Sequence, residues 1–235
     1  MVQKIKALPA IGLIDISKRY GFGEQAIDAL KNIHLEIAKG EFVALCGPSG
    51  SGKSTLLNIL SGLDNPSSGS VFFMNKSLAN LNENQLATIR SQHLGFIFQF
   101  FNLIPVLSAF DNVYYPLILN GYHTKQQAQA LSRDYLNRVG MGQLMHRKPG
   151  ELSGGQQQRI AIARALVHQP AVVVADEPTG NLDMKTGEDI LELLQTINQQ
   201  TETTFIVSTH STQLKDRAKR VIEIQDGELV YDSIR

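Results

Sequence analysis

The sequence has 235 residues, which is enough for one large domain that buries a hydrophobic core of its own. Lysine plus arginine and aspartate plus glutamate number 22 each, so the formal net charge is zero and gives no overall field that attracts nucleic acid or an acidic membrane. The single cysteine, Cys46, excludes an internal disulfide, as is usual in a reducing compartment.

Neither a signal peptide nor a membrane-spanning helix is predicted. Residues 1–12 lack the apolar stretch and the cleavage site of a signal peptide. The most apolar long window, residues 96–110, is shorter than the ~20 residues that a spanning helix needs, and three polar residues and a proline interrupt it. We therefore expect a chain that is soluble by itself.

The first part of the chain predicts strands. Apolar and polar residues alternate over 33–37, as on a half-buried strand, and Lys39-Gly40 predicts a turn. The continuous apolar run 42–46 predicts a buried strand, and residues 69–74 and 94–99 predict two more.

The rest of the chain predicts helices and then alternation. Thr124 and Ser153 can each cap a helix, the first ending at Gly140 and the second before Pro170. Strands are predicted over 172–178 and 204–210 with a helix over 188–198 between them, followed by a hairpin that turns at Asp226-Gly227. Strands that alternate with helices predict a mainly parallel sheet with helices on its faces.

Residues 47–54, GPSGSGKS, fit the phosphate-loop pattern G-x-x-x-x-G-K-[S/T] between a buried strand and a helix-forming run. Glycines let the backbone approach a phosphate closely, and the N–H groups at the helix start bind its oxygens. Lys53 is predicted to reach the terminal phosphates, and the Ser54 hydroxyl is predicted to take a magnesium position.

Residues 172–178, VVVADEP, predict the second part of a nucleotide site. Asp176 follows four apolar residues, so it emerges at the carboxyl end of a buried strand, where ligands bind in α/β sheets. There it can hold the water shell of Mg²⁺, and Glu177 can act as a general base toward water. These two motifs leave kinase, GTPase, helicase and transporter ATPase open. A guanine-reading Asn-Lys-x-Asp is absent, because Ser77-Leu78 follow the one Asn-Lys pair.

The stretch LSGGQ, residues 152–156, resembles the signature motif of the ABC ATPase family. Further landmarks of that family follow in order. Gln99 is similar to the glutamine that opens the Q-loop, residues 181–183 are similar to the D-loop, and His210 is similar to the switch histidine. Tyr20 stands where family members stack an aromatic ring on adenine.

The resemblance implies an α/β fold of the P-loop NTPase class and ABC type. Its RecA-like parallel-sheet core carries an N-terminal antiparallel β subdomain and an inserted α-helical subdomain. We expect a single ATPase domain over residues 1–235. In it, residues from about 10 to 98 and from about 168 to 235 form the β subdomain and catalytic core, and about 99 to 167 form the helical subdomain.

The resemblance also implies a homodimer in which two subunits pair head to tail and each signature loop closes on the ATP held by the other. The catalytic residues are expected to be Glu177, His210 and Gln99, and Mg²⁺ is expected to accompany ATP on Ser54, Gln99 and Asp176. The expected ATP-binding residues are Tyr20, Gly47, Pro48, Ser49, Gly50, Ser51, Gly52, Lys53, Ser54 and Thr55. The ATP of the opposite subunit is expected to meet Ser153, Gly154, Gly155 and Gln156, and the dimer contact to include Asn181 and Asp183. One departure is Ser211, where many members have an aspartate after the switch histidine.

Four stretches, residues 18–37, 62–71, 98–117 and 175–183, resemble one bacterial branch of the family. This branch includes ATPases for lipoprotein release, macrolide export and cell-division control. The resemblance implies a subunit on the cytoplasmic face of the inner membrane, bound to a separate integral-membrane permease with few spans and a large extracytoplasmic domain. In that arrangement the ATP cycle drives a mechanical motion.

The sequence disfavours two alternatives to a transporter subunit. A soluble ABC ATPase acting on nucleic acid or ribosomes is disfavoured by the neutral charge and by the lack of a long coiled coil between phosphate loop and signature. A binding module that scarcely hydrolyses ATP is disfavoured by Asp176, Glu177 and His210. A further choice stays open: Phe100, Phe101, Leu103 and Ile104 form either an exposed dock for the permease or part of the helical core.

Overall fold

The computed structural model describes residues 9–119, 121, 124–210 and 212–234. Within them the strands are β1 (Pro9–Tyr20), β2 (Ile27–Ala38), β3 (Phe42–Cys46), β4 (Ser68–Phe73), β5 (Lys76–Ser77), β6 (Leu94–Ile97), β7 (Val172–Asp176), β8 (Thr204–Ser208), β9 (Arg220–Gln225) and β10 (Glu228–Ile234). The helices are α1 (Lys53–Leu60), α2 (Glu83–His93), α3 (Ala109–Leu119), α4 (Lys125–Arg138), α5 (Gly154–Leu166), α6 (Met184–Thr201) and α7 (Thr212–Arg217).

The strands form two sheets. The central sheet has the order β10-β9-β3-β8-β7-β6, in which β9, β3, β8, β7 and β6 are parallel and only β10 is antiparallel to its neighbour. The second sheet is antiparallel, with the order β2-β1-β4-β5. The predicted fold class, a mainly parallel sheet core with an antiparallel β part near the amino terminus, is confirmed.

The core divides at the central sheet, because successive side chains of a strand point to opposite faces. Phe42, Ala44 and Cys46 of β3 join one buried cluster with α3, α4, α5 and α6, and the Phe42 ring stacks on Phe205 of β8 at 5.7 Å. Val43 and Leu45 join a second cluster with α1 and the antiparallel sheet. The sheet is therefore covered on both faces, as parallel sheets require.

Both capped helices of the middle region form as predicted. The Thr124 side chain accepts from the backbone N–H of Gln127 at the start of α4, and Gly140 follows its end with a φ of +76°. The Ser153 side chain accepts from the backbone N–H of Gln156 at the start of α5. Helix α3, which is apolar and contains Pro116, was not predicted. Among the described residues, no helix is both long enough and apolar enough to cross a membrane.

Three strands of the central sheet end two residues earlier than predicted, all at the same edge. β6 ends at Ile97, β7 at Asp176 and β8 at Ser208, where 99, 178 and 210 were expected. The pairing of β6 with β7 stops at Ile97 and Ala175, and that of β7 with β8 stops at Asp176 and Ser208. The residues that follow, which include Gln99, Glu177 and His210, leave the ladder and form the loops at this edge.

Arg220 connects four parts of the β structure. Its guanidinium donates to both carboxylate oxygens of Asp232 on β10 at 2.8 and 2.7 Å. It also donates to Glu41 at the start of β3 and to the carbonyl oxygen of Glu36 on β2, each at 2.8 Å. The hydrogen bonds to Asp232 are the main reason that the pKa of Arg220 is raised above its ordinary value. The central and antiparallel sheets are therefore joined by one buried cation.

We expect Arg220→Met to lower the free energy of unfolding by about 3–5 kcal/mol, because it leaves two partly buried carboxylates without their cation. Urea unfolding at neutral pH measures this change. The matched control is Arg147→Met, which removes an exposed pair with Glu151, four residues along the chain, and should shift the free energy by about 0.5 kcal/mol or less. Equal shifts in the free energy of unfolding for the two variants would contradict the role of Arg220 as the cation that joins the two sheets.

Candidate active site

The carboxyl ends of β3, β7 and β8 meet at a cavity of about 470 Å³. A parallel sheet places its loops together at this edge, which is where ligands bind in open α/β folds. The predicted site residues that line the cavity are Ser49, Gly50, Gly52, Lys53, Ser54, Thr55, Glu177 and His210. Residues from β2 and from the β9–β10 turn, which the sequence analysis did not select, complete the wall: Ile27, Asp28, Ala29, Lys31, Asp226 and Gly227.

The phosphate loop needs glycine at its two ends because other backbone approaches it there. Gly47 has a φ of +150°, and a Cβ on it would lie 2.1 Å from the carbonyl oxygen of Ile224. Gly52 has a φ of +107°, and a Cβ on it would lie 2.6 Å from the carbonyl oxygen of Ala29. Strands β9 and β2 therefore fix the position of the loop, which leads directly into the amino terminus of α1.

Lys53 is the first residue of α1 and is buried. Its ammonium donates to the carbonyl oxygens of Gly47 and Pro48 at 2.9 and 3.0 Å, and it lies 3.5 Å from Nε2 of His210. The side chain thus folds back across its own loop. The positive charge is held at the mouth of a cavity that also receives the helix N–H groups, an arrangement suited to phosphate oxygens.

Asp176 ends β7 between two hydroxyl groups. The Ser54 hydroxyl donates to its Oδ2 at 2.9 Å, and the Ser208 hydroxyl donates to its Oδ1 at 2.6 Å. The Ser208 oxygen also accepts the backbone N–H of Glu177 at 2.9 Å. Sequence reasoning missed Ser208; the available signal was a hydroxyl residue at the end of an otherwise apolar predicted strand. One buried serine therefore holds both the carboxylate of Asp176 and the backbone of Glu177.

Glu177 and His210 form a close pair. Oε1 of Glu177 lies 2.6 Å from Nε2 of His210. Glu177 has a φ of +45°, a left-handed conformation that is uncommon for a residue with a side chain and that is enriched at active sites. Both side chains line the cavity together with Lys53. Three of the predicted residues, from three separate segments, thus meet at one point, whereas Ser211 lies outside the described residues.

The signature residues are located elsewhere in the chain's own structure. Ser153 caps α5, its amide donates to the side chain of Gln156 at 3.0 Å, and none of residues 153–156 lines the cavity. A Cβ on Gly155 would lie 2.4 Å from Cγ2 of Thr186, and one on Gly154 would lie 3.3 Å from Leu182. The signature helix therefore packs against residues 182–186, at the start of α6.

The predicted Q-loop and D-loop residues contact each other. The Asn181 amide donates to the carbonyl oxygen of Gln99 at 2.9 Å, and the Gln99 side chain lies close to Gly180. Asp183 caps α6 by accepting the N–H of Thr186 at 3.0 Å, and hydrogen bonds from that residue hold the pKa of Asp183 below its ordinary value. Gln99 is not among the residues that line the cavity.

Tyr20 lies at the end of β1, paired across the sheet with Ile27, which lines the cavity. Its hydroxyl donates to Asp64 at 2.7 Å, and the ammonium of Lys18 lies 4.9 Å from the ring centroid. Burial and the bond to Asp64 raise the pKa of the phenol. The ring is 42% exposed and leaves a surface on which a base can stack.

Residues 100–104 were predicted to form either an exposed dock or part of the helical core, and different residues of the segment do each. Phe100 is 72% exposed and Ile104 is 49% exposed, as a docking surface requires. Leu103 packs against the core cluster, and the Phe101 ring lies beside Gly154 of the signature. Two residues of the segment thus face outward, and two serve internal packing.

Comparison with known proteins agrees with this geometry. A family model described as ABC transporter matches residues 30–180, more than half of the chain. The lipoprotein-releasing system ATP-binding protein LolD of Geobacter metallireducens is 45% identical over 220 residues, which are 94% of this chain and 97% of that protein. The macrolide export ATP-binding/permease protein MacB of Bdellovibrio bacteriovorus is 47% identical over 224 residues, which are 94% of this chain but 34% of that longer protein.

A solved structure of the cassette MJ0796 from Methanocaldococcus jannaschii, dimeric and bound to ADP and Pi in a post-hydrolysis state, superposes with a TM-score of 0.87. It is 42% identical and matches 95% of this chain and 98% of its own. The family match and the relatives aligned along nearly the whole length agree with the phosphate loop, Glu177 and His210 found at one cavity. The chain therefore belongs to the ABC transporter family, as an ATP-binding and ATP-hydrolysing subunit.

Proposed function

We propose that two copies of this chain pair head to tail around two ATP molecules and drive an integral-membrane permease. The observation that carries this proposal is the separation of the signature from the cavity. Residues 153–156 begin an intact, capped helix whose N–H groups suit a γ-phosphate, yet they do not line the cavity formed by their own phosphate loop. A second copy brings a signature to each cavity, and Asn181 and Asp183 then lie near the contact.

In the proposed reaction, Glu177 accepts a proton from water, and the water oxygen attacks the γ-phosphorus of ATP. The bond from that phosphorus to the bridging oxygen breaks, so ADP leaves with the electron pair and inorganic phosphate forms. Lys53 holds the phosphate charge, and His210, whose Nε2 lies 2.6 Å from Oε1 of Glu177, orients the carboxylate. Tyr20 stacks on the adenine, and the phosphate-loop amides hold the β-phosphate.

The residues present fit Mg²⁺. The Ser54 hydroxyl and the Asp176 carboxylate lie 2.9 Å apart and are hard oxygen donors, which Mg²⁺ prefers. Ser54 and Asp176 would hold the ion, which when bound neutralises charge on the β- and γ-phosphates. Gln99 would join this set through the loop that carries it, since its side chain lies beside Gly180 and off the cavity wall.

We further propose that residues 99–167, which contain α3, α4 and α5, form the helical subdomain and that its exposed residues meet the permease. Phe100, Ile104 and Val106 are exposed apolar side chains on one short segment next to Gln99. Relatives are named for lipoprotein release and macrolide export, and this supports a permease of the mechanical type. The subunit would then lie on the cytoplasmic face of the membrane.

Glu177→Gln should preserve ATP binding and reduce kcat by about 100-fold or more, because the amide cannot accept the proton from water. Steady-state phosphate release and binding of a fluorescent ATP analogue measure the two effects. Glu192→Gln, an exposed change on α6, is the matched control and should leave both unchanged. Rapid turnover by the Glu177 variant would contradict the assignment of the base.

Lys53→Ala and Ser153→Asp should each abolish hydrolysis as homodimers, the first by losing phosphate charge and the second by placing a carboxylate near the γ-phosphate. Ser153→Asp retains an N-cap side chain, so α5 should still form, and Ser153→Asn is its neutral control with hydrolysis largely retained.

Mixing the two inactive proteins should restore up to about a quarter of the wild-type rate, because half of the dimers are mixed and each has one intact composite site. Complete inactivity of a mixture shown to contain mixed dimers would contradict action across the dimer.

The permease is tested by capture of tagged Glu177→Gln protein from native membranes in mild detergent with ATP and Mg²⁺. Mass spectrometry should identify an integral-membrane protein with a large extracytoplasmic domain. The same protein with Phe100→Ala added should recover much less of it while binding ATP equally well. Recovery of ribosomal or DNA-associated proteins alone would overturn the transporter assignment and leave the ATPase intact.

A further inference from the structure

The loop after β6 contains a strained turn. Phe101 and Asn102 have φ values of +61° and +49°, so two successive residues with side chains adopt the left-handed conformation. Among the described residues, one other pair of successive non-glycine residues has positive φ values, Met74-Asn75. This pair forms the two-residue turn between β4 and β5, where the left-handed conformation is usual. Phe101-Asn102 lies in no hairpin. Its amides donate to the carbonyl oxygens of Phe98 and Phe100 at 3.2 and 2.6 Å, and a group outside the loop holds its own carbonyl oxygens.

The guanidinium of Arg164 supplies that hold. On α5, it donates to the carbonyl oxygen of Asn102 at 2.5 Å and to that of Phe101 at 2.9 Å. Two adjacent carbonyls thus receive the two arms of one planar group, which lysine cannot imitate. Burial lowers the pKa of Arg164, so the charged group has been taken out of water for these contacts.

The partners of Arg164 are unusual for a desolvated arginine. Among the salt bridges of the described residues none involves Arg164, although a partly buried guanidinium normally pairs with a carboxylate. By contrast, Arg220 pairs with two. The charge of Arg164 is therefore used on the backbone of a single turn.

This turn lies between two functional segments. Two residues before it, the carbonyl oxygen of Gln99 accepts the Asn181 amide, and the Gln99 side chain lies beside Gly180. The Phe101 ring itself lies beside Gly154 of the signature. A group on α5 that fixes this turn thereby fixes the spacing between the signature helix and Gln99.

We infer that Arg164 is a positioning residue that clamps the Phe101-Asn102 turn and makes the Gln99 loop follow the signature helix. The inference rests on the proposed function in so far as Gln99 takes part in hydrolysis. Arg164 does not line the nucleotide cavity, so its loss should affect turnover and leave ATP binding in place. When a second subunit engages the signature, the movement of α5 reaches Gln99 through two hydrogen bonds.

The decisive test is compensation between two sites. Arg164→Met should lower kcat for ATP by about 10- to 100-fold, with KM within about twofold, because the loop is misplaced and the cavity is intact. Asn102→Gly alone should keep kcat within about twofold of wild type, since glycine adopts this conformation without strain and retains the carbonyl. The double variant should recover part of the lost kcat, by at least about twofold, because only Phe101 of the two left-handed residues is still strained.

Arg159→Met is the matched control. Arg159 also lies on α5 and donates to a backbone carbonyl, that of Val139 at 3.1 Å, but its contact is away from the Gln99 loop. It should leave kcat unchanged. Arg164→Lys should fall between wild type and Arg164→Met, because one ammonium cannot replace both arms. Wild-type kcat for Arg164→Met, or no recovery in the double variant, would overturn the inference.

Hydrogen exchange separates this inference from the proposed function. In the nucleotide-free protein, Arg164→Met should speed amide exchange over residues 99–104 by about tenfold or more and leave α5 protected. That readout needs no ATPase activity, so it still holds if the hydrolysis mechanism is wrong. Unchanged amide exchange over residues 99–104 would contradict the role of Arg164 as a clamp, even if kcat fell.

Discussion

The hydroxyl of Ser208 is the contact on which the rest of the site depends. It donates to Asp176 and accepts the N–H of Glu177, so it joins the ends of β7 and β8 at the point where both strands leave the sheet. Hydrogen bonds to charged groups contribute about 1.5–3 kcal/mol, and more is lost when a buried partner is left unmet. This bond makes the left-handed turn at Glu177 tolerable and directs its side chain toward His210.

Further contacts between loops surround this centre and connect it to α5, which begins with the signature. The Gln99 backbone is held by Asn181, the turn after it by Arg164, and the signature glycines by Leu182 and Thr186. Gln158 on α5 adds a link by donating to the carbonyl oxygen of Pro178 at 2.6 Å. These contacts are backbone-directed and short, so a shift of α5 cannot occur without moving the segments that flank Glu177.

The close approaches also explain why small residues occupy the loops. Gly47 and Gly52 pass against the backbone of β9 and β2, and Gly155 passes against Thr186. A side chain at any of these points would push apart elements that carry the site. The cavity walls contributed by β2 and by the β9–β10 turn follow from the same packing, since the phosphate loop is seated between them.

Several local elements and the residue types of the proposed site could be predicted from the sequence. The buried strand 42–46, the caps at Thr124 and Ser153, the phosphate loop and the acidic pair are all encoded within a few neighbouring residues, because alternation, capping and glycine spacing are short-range properties. The contacts between residues far apart in the chain could be read only from the folded arrangement. The order of the strands and the packing of the helices bring Ser208 to Asp176 and Arg164 to the Phe101-Asn102 turn. They also place the signature away from the cavity of its own subunit. Such contacts join residues that are 32 to 63 positions apart, and no local pattern records them.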